Sequence, residues 1–423
     1  MKPASSFGLR LIVRRSLTQH LLSTAITAAS VALATGLVMA VLALSAQTYT
    51  AFTGGPVGFD AVLGARGSQL QLVLNTVFHL QTSPGNIPWS LYQQVKDDPD
   101  VELAVPYAVG DNYRGYRIVG TTPDIFTRFE YREGKHFTPE AGGRAFDPRK
   151  LEAVVGSTAA QRLGLKVGDT FHPEHGVDDD PKAAHADVYT VAGVLEPTNS
   201  PSDRVIWIPL EGVYRMAGHV LSGTGKDFVA HDATAIPDQV KEVSAVMLKF
   251  RSPQAGFVLD RTINRQGKVA TLAWPIGAVM ADFFDKLGWM NQVLVLVAYL
   301  VGLVAAGSIL ASLYNTMNER RREFAILRAL GARRATVFAA IVLESTAIAV
   351  LGGLAGYVVY AAILSGAAVV IRAQTGVVIE VLAFHPALVA APLAMVVLGA
   401  LAGIVPALRA YATDVATHLA PAS

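Results

Sequence analysis

Three histidines and three aspartates crowd one short stretch of the chain, FHPEHGVDDDPKAAH, as His172, His175, His185 and Asp178, Asp179, Asp180. Imidazole and carboxylate are ligand types for zinc, so chemistry is sought here first. The spacing fits no standard structural zinc site, and the stretch reads as a hydrated acidic loop ahead of a metal site made by the three histidines. SGTGKDF at 222–228 has the look of a phosphate loop, but Val220 and Asp227 stand where that motif needs Gly and Ser or Thr. G-x-S-x-G and H-E-x-x-H are both missing, and no Ser, His and Asp form a combination expected to be catalytic. The chain is therefore expected to have no catalytic residue and not to be an enzyme.

Two other places set charge among apolar residues. NERRREFAILRALGA, 318–332, carries four arginines and two glutamates, yet on a helix Phe324, Ile326, Leu327 and Leu330 cover one broad arc with Arg321 and Arg328 on the other side. Gly331 can close that helix in the left-handed conformation. Such a helix either lies on anionic lipid or docks its apolar arc into a groove on a partner, and the residues alone leave the two open. Glu344 is the one ionisable residue deep in a long apolar run. At a bilayer centre it would cost about 2.5–3.5 kcal/mol, less if it meets an arginine of the 315–336 loop. With no second ionisable residue in the run, a structural clamp on that loop is favoured over a proton or ion site.

The elements that must position these groups are membrane helices. The chain has 423 residues, 52% hydrophobic and 16% charged, and its apolar residues are bunched. Leu21 to Tyr49, Leu287 to Asn318 and Val381 to Leu408 hold no charged side chain, and Val337 to Ile371 holds only Glu344. Each run exceeds the roughly 20 residues that cross a bilayer core, so four spans are expected. Splitting 337–371 would give five, but its 35 residues are too few for two crossings and a turn. The first run is too long for a secretion signal and lacks a small-x-small site at Ala46, because Leu44 intervenes; it reads as a retained anchor. Basic residues gather before span one (Lys2, Arg10, Arg14, Arg15) and between spans two and three (Arg320 to Arg322, Arg328, Arg333, Arg334), whereas Arg372 is alone between spans three and four. The positive-inside rule then places both termini and 315–336 in the cytoplasm and residues from about 50 to 285 outside. A net charge of +2 gives no case for nucleic-acid binding. Without cysteine, the outer segment must rest on its own core.

That outer segment reads as mixed α/β: short runs such as VELAVPYAV, LEAVVGS and RVIWIPL alternate with helical stretches at 87–98, 158–165 and 252–266, the last opened by Ser252 and Pro253. A helix is expected from Ala273 to Trp289, running into span two as a stalk. Small residues at four-residue spacing (Gly36 and Ala40, Gly302 and Ala306, Gly352 and Gly356, Gly399 and Gly403) suit close helix packing. The expected layout is a cytoplasmic segment 1–20, transmembrane helix 21–49, α/β domain 50–272 with a possible subdomain boundary near 200–210, stalk and second transmembrane helix 273–314, cytoplasmic loop 315–336, third transmembrane helix 337–371, outer loop 372–385, fourth transmembrane helix 386–408 and cytoplasmic tail 409–423.

YNTMNERRREFAILRALGARRATVFAAIVLES resembles the signature of the FtsX/MacB-type permeases (MacB/LolC-like), membrane subunits of one class of ABC systems. Glu319, Arg320, Glu323, Ile326, Leu327, Arg328, Ala329, Leu330 and Gly331 match its loop motif, and Glu344 its acidic residue in span three. Gly403, Pro406, Ala407 and Ala410 match its span-four ending, whereas Asp414-Val415 replaces the usual Asp-Pro. HFTPEAGG, LEAVVGSTAAQRLGLKVGDTF and YTVAGVLEPT are similar to the family's outer domain. The resemblance implies a bacterial inner-membrane permease that binds no cofactor itself, ATP and magnesium belonging to a cytoplasmic ABC ATPase dimer. It further implies that 319–331, with Phe324, is the helix coupled to that ATPase. A second permease copy or paralogue would complete the assembly, with membrane lipid around it and a periplasmic partner protein in some members. The cargo is left open, as is metal handling by the 172–185 histidines in a zinc-linked system. A membrane receptor with a ligand-binding outer domain is the alternative from another class, and it has no need of a docking helix.

Overall fold

The computed structural model describes residues 6–54, 58–176, 180–216, 236–319, 321–329 and 331–412. They fall into two compact units: Met1–Thr48, Leu287–Val369 and Ile379–Ser423 in one, Tyr49–Lys286 and Val370–Val378 in the other. Among the described residues four helices are long and apolar enough to cross a membrane: Leu21–Thr53, Gly288–Thr316, Arg334–Thr375 and Ala387–Arg409. The first and third are helices α2 and α12, over those bounds; the second belongs to α10, Gly288–Glu319, and the fourth to α13, Ala387–Ala412. The run 337–371 lies within one unbroken helix of 42 residues, so no turn divides it. An N-terminal helix not anticipated from the sequence, α1, precedes them over Ser6–Gln19.

Contact between these helices is made by their small residues. A methyl group on Gly352 would lie 2.5 Å from Cβ of Val31, and one on Gly36 would lie 2.5 Å from Cβ of Val359, so α2 and α12 touch almost backbone to backbone. On the other flank of α12, a methyl on Gly399 would reach 2.5 Å from Cβ of Ala349, and one on Gly403 would run into Ser345. Gly302 is different: the nearest atom to its would-be methyl is Met395 Sδ at 3.7 Å, ordinary contact. Ser23 and Ser312 share a hydroxyl hydrogen bond of 2.9 Å, and Gln47 exchanges two bonds with the backbone of Glu380, at 2.9 and 3.1 Å.

The other unit is a mixed α/β domain. Its strands are β1 (Ala61–Ala65), β2 (Ile87–Pro88), β3 (Val101–Tyr113), β4 (Tyr116–Thr121), β5 (Glu152–Val155), β6 (Thr170–Phe171), β7 (Glu174–His175), β8 (Tyr189–Val194), β9 (Ile206–Pro209), β10 (Glu242–Val243), β11 (Ala245–Phe250) and β12 (Ala270–Ala273). The main sheet runs β12-β1-β11-β3-β4-β9-β5-β8-β6, with β7 on β3, and β10 pairs β2 apart from it. Strand pairs β4/β9 and β5/β8 are parallel and the rest antiparallel. Its helices are α3 (Gln69–Thr76), α4 (Trp89–Lys96), α5 (Asp124–Thr127), α6 (Ser157–Leu163), α7 (Leu210–Arg215), α8 (Pro253–Asp260) and α9 (Ile276–Lys286).

Side chains alternate along each strand, so the sheet has two cores. Ile206 and Ile208 of β9 face one with Leu63, Val246 and Leu248; Val205 and Trp207 face the other with Val62, Leu72 and Met247. Helices α4, α6 and α7 supply Tyr92, Ala159 and Val213 to the first core, and α3, α5 and α9 supply Val73, Ile125 and Met280 to the second. Burial on both faces explains why these strands are nearly continuous apolar runs. A subdomain boundary near 200–210 is not what forms: β9 is an interior strand between β4 and β5. The chain crosses instead along β3, which pairs β11 with its first half and β4 with its second, its register shifting between Val109 and Asp111. The expected stalk is not continuous with span two. Strand β12 takes Ala270–Ala273, α9 ends at Lys286, and a turn at Leu287 separates it from α10.

Strand β5 begins with a buried carboxylate. Glu152 accepts two hydrogen bonds from Arg144, at 2.6 and 2.7 Å, and one from the Asp147 amide at 2.9 Å. The Arg144 guanidinium holds the Glu152 carboxyl below its usual value, against the opposing pull of burial. A lowered folded value means the stabilisation is complete above the unfolded value of about 4.3 and is lost as pH falls through the folded one. Glu152→Gln should therefore melt a few degrees lower than wild type at pH 7, with the gap closing below pH about 4, in thermal melts followed by tryptophan fluorescence. In the helical unit, Gly352→Val should block the α2–α12 approach and sharply reduce the yield of monodisperse detergent-solubilised protein, whereas Gly302→Ala should not.

Candidate functional site: a capped helix between two membrane-length helices

Between α10 and α12 the chain forms a short helix, α11, over Arg321–Ala329. Glu323 lies in its first turn and Arg328 in its last, each sign at the helix end that favours it. Gly331 takes φ +97°, the amide of Ala332 donates to the Leu327 carbonyl at 3.0 Å, and the Gly331 amide donates to the Arg328 carbonyl at 3.0 Å. These two bonds form the Schellman motif, which satisfies carbonyls a helix end otherwise leaves open. Arg320 and Leu330 lie outside the described residues, as do the side chains of Glu319 and Phe324.

The apolar arc is divided. Leu327 packs against Val337, Ile341 and Ala407, at the base of α12 and α13. Ile326, a hundred degrees further round the helix, is 45% exposed, and Glu323 and Ala329 are exposed as well. Leu327 holds the helix to its own unit, and Ile326 is the large apolar side chain that, among the described residues, it presents outward. Sequence alone put the two on one surface, because an arc of apolar residues does not say which of its edges faces inward.

Glu344 is buried in α12 and accepts a hydrogen bond from Ser16 Oγ of α1. The N-terminal helix is thus tied to the same level of α12, a link that a Ser at position 16 gave no cause to expect. Pro406 is buried within α13, four residues below the position where Ala402 joins the helix-packing cluster around Ile309. Arg409 donates to Tyr314 Oη at 2.7 Å, linking α13 to α10.

The histidines of 172–185 are only partly brought together. His175 Nδ1 and His185 Nε2 each lie 3.3 Å from Asp111 Oδ1, and His172 instead approaches the His185 carbonyl at 3.2 Å. Asp111, far away in sequence, is the member of the group that the spacing of the histidines could not disclose. Asp178 and Asp179 lie outside the described residues, and Asp180 caps the turn Pro181–Ala183. The loop 222–228 and Asp414-Val415 are outside them too.

Residues 24–255 match the family model of the MacB-like periplasmic core domain, and residues 295–415 that of the FtsX-like permease C-terminal region. The chain belongs to the FtsX/MacB-type ABC transporter permeases. Permeases of this family are membrane-embedded and carry a periplasmic core domain. Two solved structures are similar. One is the extracellular domain of the noncanonic ABC-type transporter YknZ from Gram-positive bacteria, at 15% identity, over 50% of this chain and 99% of that one, with TM-score 0.28. The other is the periplasmic region of MacB from Actinobacillus actinomycetemcomitans, at 11% identity, over 54% of this chain and 94% of that one, with TM-score 0.31. A search of the curated proteins finds no match.

The Schellman closure makes a prediction. Gly331→Ala forces a side chain into the left-handed region at a cost of roughly 1–2 kcal/mol, with no clash, since nothing lies within 4 Å of its would-be methyl. The variant should insert normally yet show faster hydrogen exchange at the amides of Gly331 and Ala332, read by mass spectrometry of the 321–337 peptide.

Proposed function

We propose that this chain is the non-catalytic membrane subunit of an ABC complex, and that α11 is the element through which a cytoplasmic ATPase dimer moves it. One observation carries the proposal. The helix is fastened to α12 and α13 by Leu327 and closed at Gly331, and it offers Ile326, Glu323 and Ala329 on its outward side. A helix that docks uses such an exposed isoleucine as the anchor in a partner's groove. Membership of the family supports the partner, since its permeases work with cytoplasmic ABC ATPases.

In this reading the four apolar helices are spans, both termini and α11 lie in the cytoplasm, and the α/β domain is periplasmic. ATP and magnesium are held by the ATPase, and this chain binds neither. A second permease copy or paralogue completes the complex, because an ATPase dimer presents two grooves. The work done on the outer side is export, extraction or force applied to a periplasmic partner. Glu344 and Ser16 clamp α1 to α12, so a push on α11 reaches a braced helix rather than a loose one. The close approaches at Gly352, Gly356, Gly399 and Gly403 brace it further.

Ile326→Asp tests the proposal. Co-expressed with the ATPase encoded beside it, the variant should lose co-purification and coupled ATP hydrolysis at least 10-fold, about 1.4 kcal/mol, while inserting and melting as wild type does. Leu327→Asp should instead lower the melting temperature, because it places a charge against Val337, Ile341 and Ala407. Unchanged binding by Ile326→Asp would return α11 to a lipid-lying role and favour a receptor that works without ATP.

A further inference from the structure

We infer that Asp111, His175 and His185 form a binding site for a zinc-like divalent cation on the α/β domain. The three side chains each offer one ligand atom, all within 4.8 Å of one another. Two of the pairs, His175 Nδ1 and His185 Nε2 each to Asp111 Oδ1, are both 3.3 Å. That separation is longer than a good charged hydrogen bond, which is about 2.7–2.9 Å. It equals the edge of a tetrahedron whose centre sits about 2.0–2.1 Å from each corner, the bond length of zinc to nitrogen and oxygen. The two imidazole rings stand at 84° with centroids 5.7 Å apart, converging on the carboxylate from different sides rather than stacking.

The backbone holds the ligands in place before any ion arrives. Asp111 follows the register shift in β3, the kind of irregularity that re-aims a side chain. His175 is its direct cross-strand partner in β7. The Gly176 amide donates to the Gly110 carbonyl at 2.8 Å, and Asn112 donates to the Gly176 carbonyl at 3.2 Å, so the turn after His175 is fixed to β3. His185 is brought back by its own amide, which donates to the Pro173 carbonyl at 2.7 Å, beside the bridge between Glu174 and Ala184. Asp111 and His185 are buried, with side chains 2% and 7% exposed, whereas that of His175 is 65% exposed. A cation would enter from the His175 side and keep its fourth position toward water.

Two imidazoles and one carboxylate suit zinc with one position open. The same donor set, arranged about six-coordinate iron, is the alternative that geometry must separate. The two His–Asp111 pairs at 3.3 Å favour the tetrahedron, because octahedral edges at similar bond lengths are shorter. His172 is outside the ligand set, its Nδ1 being turned to the His185 carbonyl.

The inference does not rest on ATPase coupling, and its test needs no ATPase. Full-length protein in detergent, stripped with chelator, is titrated with Zn²⁺ against a chromophoric competitor and separately with Co²⁺. One Zn²⁺ per chain and the intense visible bands of four-coordinate Co²⁺ are expected. His175→Gln and His185→Gln should each weaken binding by more than 10-fold, since losing even an outer-shell partner costs about 10–100-fold. His172→Gln should bind within about 2-fold of wild type, well short of such a loss. Metal-free melts of each variant, with Asp111→Asn added as a shape-preserving ligand change, show whether lost binding is lost folding. Weak binding by all three ligand variants with wild-type metal-free melts supports the site. Wild type without stoichiometric zinc, ligand variants that bind as wild type does, equal loss in His172→Gln, lost binding only where the metal-free fold is lost, or a preference for six-coordinate Fe²⁺ overturns it.

Discussion

Helices surrounded by lipid gain nothing by hiding apolar side chains from one another, so whatever holds α2, α12 and α13 together has to come from contact at short range. Glycine supplies that contact. With Gly352 against Val31, Gly36 against Val359 and Gly403 against Ser345, the three helices meet where their own backbones form the surface. Dispersion forces fall away within a fraction of an ångström of the optimum, so the packing has little tolerance for even one added methyl. Polar side chains add to it at other contacts of the same unit: Glu344 of α12 meets Ser16 of α1, and Ser23 of α2 meets Ser312 of α10.

In the other unit the constraint is a sheet buried on both sides. Every strand position must then be apolar whichever way it points, and polarity is confined to ends, bulges and edges. Glu152 is at the start of β5, and Asp111 follows the irregularity of β3. Both are buried, and both sit where the ladder is interrupted and a carboxylate can find partners. Elsewhere in the domain, His79 shows the opposite solution. Burial, aided by the charges of Arg117 and Arg204, pushes its imidazole down to about 3, so it stays neutral and leaves the charge there to the two arginines.

Much of this was legible in the residues. Helices announce themselves by length and apolarity, and the loop motif around Glu323 and Gly331 is specific enough to name a family. Gly331 predicted its own conformation, because a helix ending in the left-handed region needs a residue without a Cβ. What could not be read was contact across sequence distance. Asp111 is 64 residues from His175 and is brought to it by strand pairing alone. Ser16 is 328 residues from Glu344. Gly288 stands directly after the turn at Leu287 that parts α9 from α10, but one glycine within an apolar run does not tell a break from a helix interior, and β9 runs through the region expected to hold a subdomain boundary. Composition marks where a chain can turn and says little about whether the sheet continues beyond.

On the role proposed for α11, its division into an inward and an outward apolar residue is what a docking helix needs. A helix of nine residues is marginal alone in water, so it has to be held by tertiary contact if it is to keep its shape when pushed. That contact takes Leu327 and the Schellman closure. The outward surface then has to be sticky enough to bind and small enough not to aggregate, and an exposed isoleucine beside Glu323, among the described residues, suits both demands. A helix using its whole apolar arc for docking would be loose in the free subunit and would lose part of its binding energy to ordering itself. One using it all inward would have nothing to dock with. If α11 docks, the split between Ile326 and Leu327 answers both demands, because the residue that holds the helix and the residue it offers are then different ones.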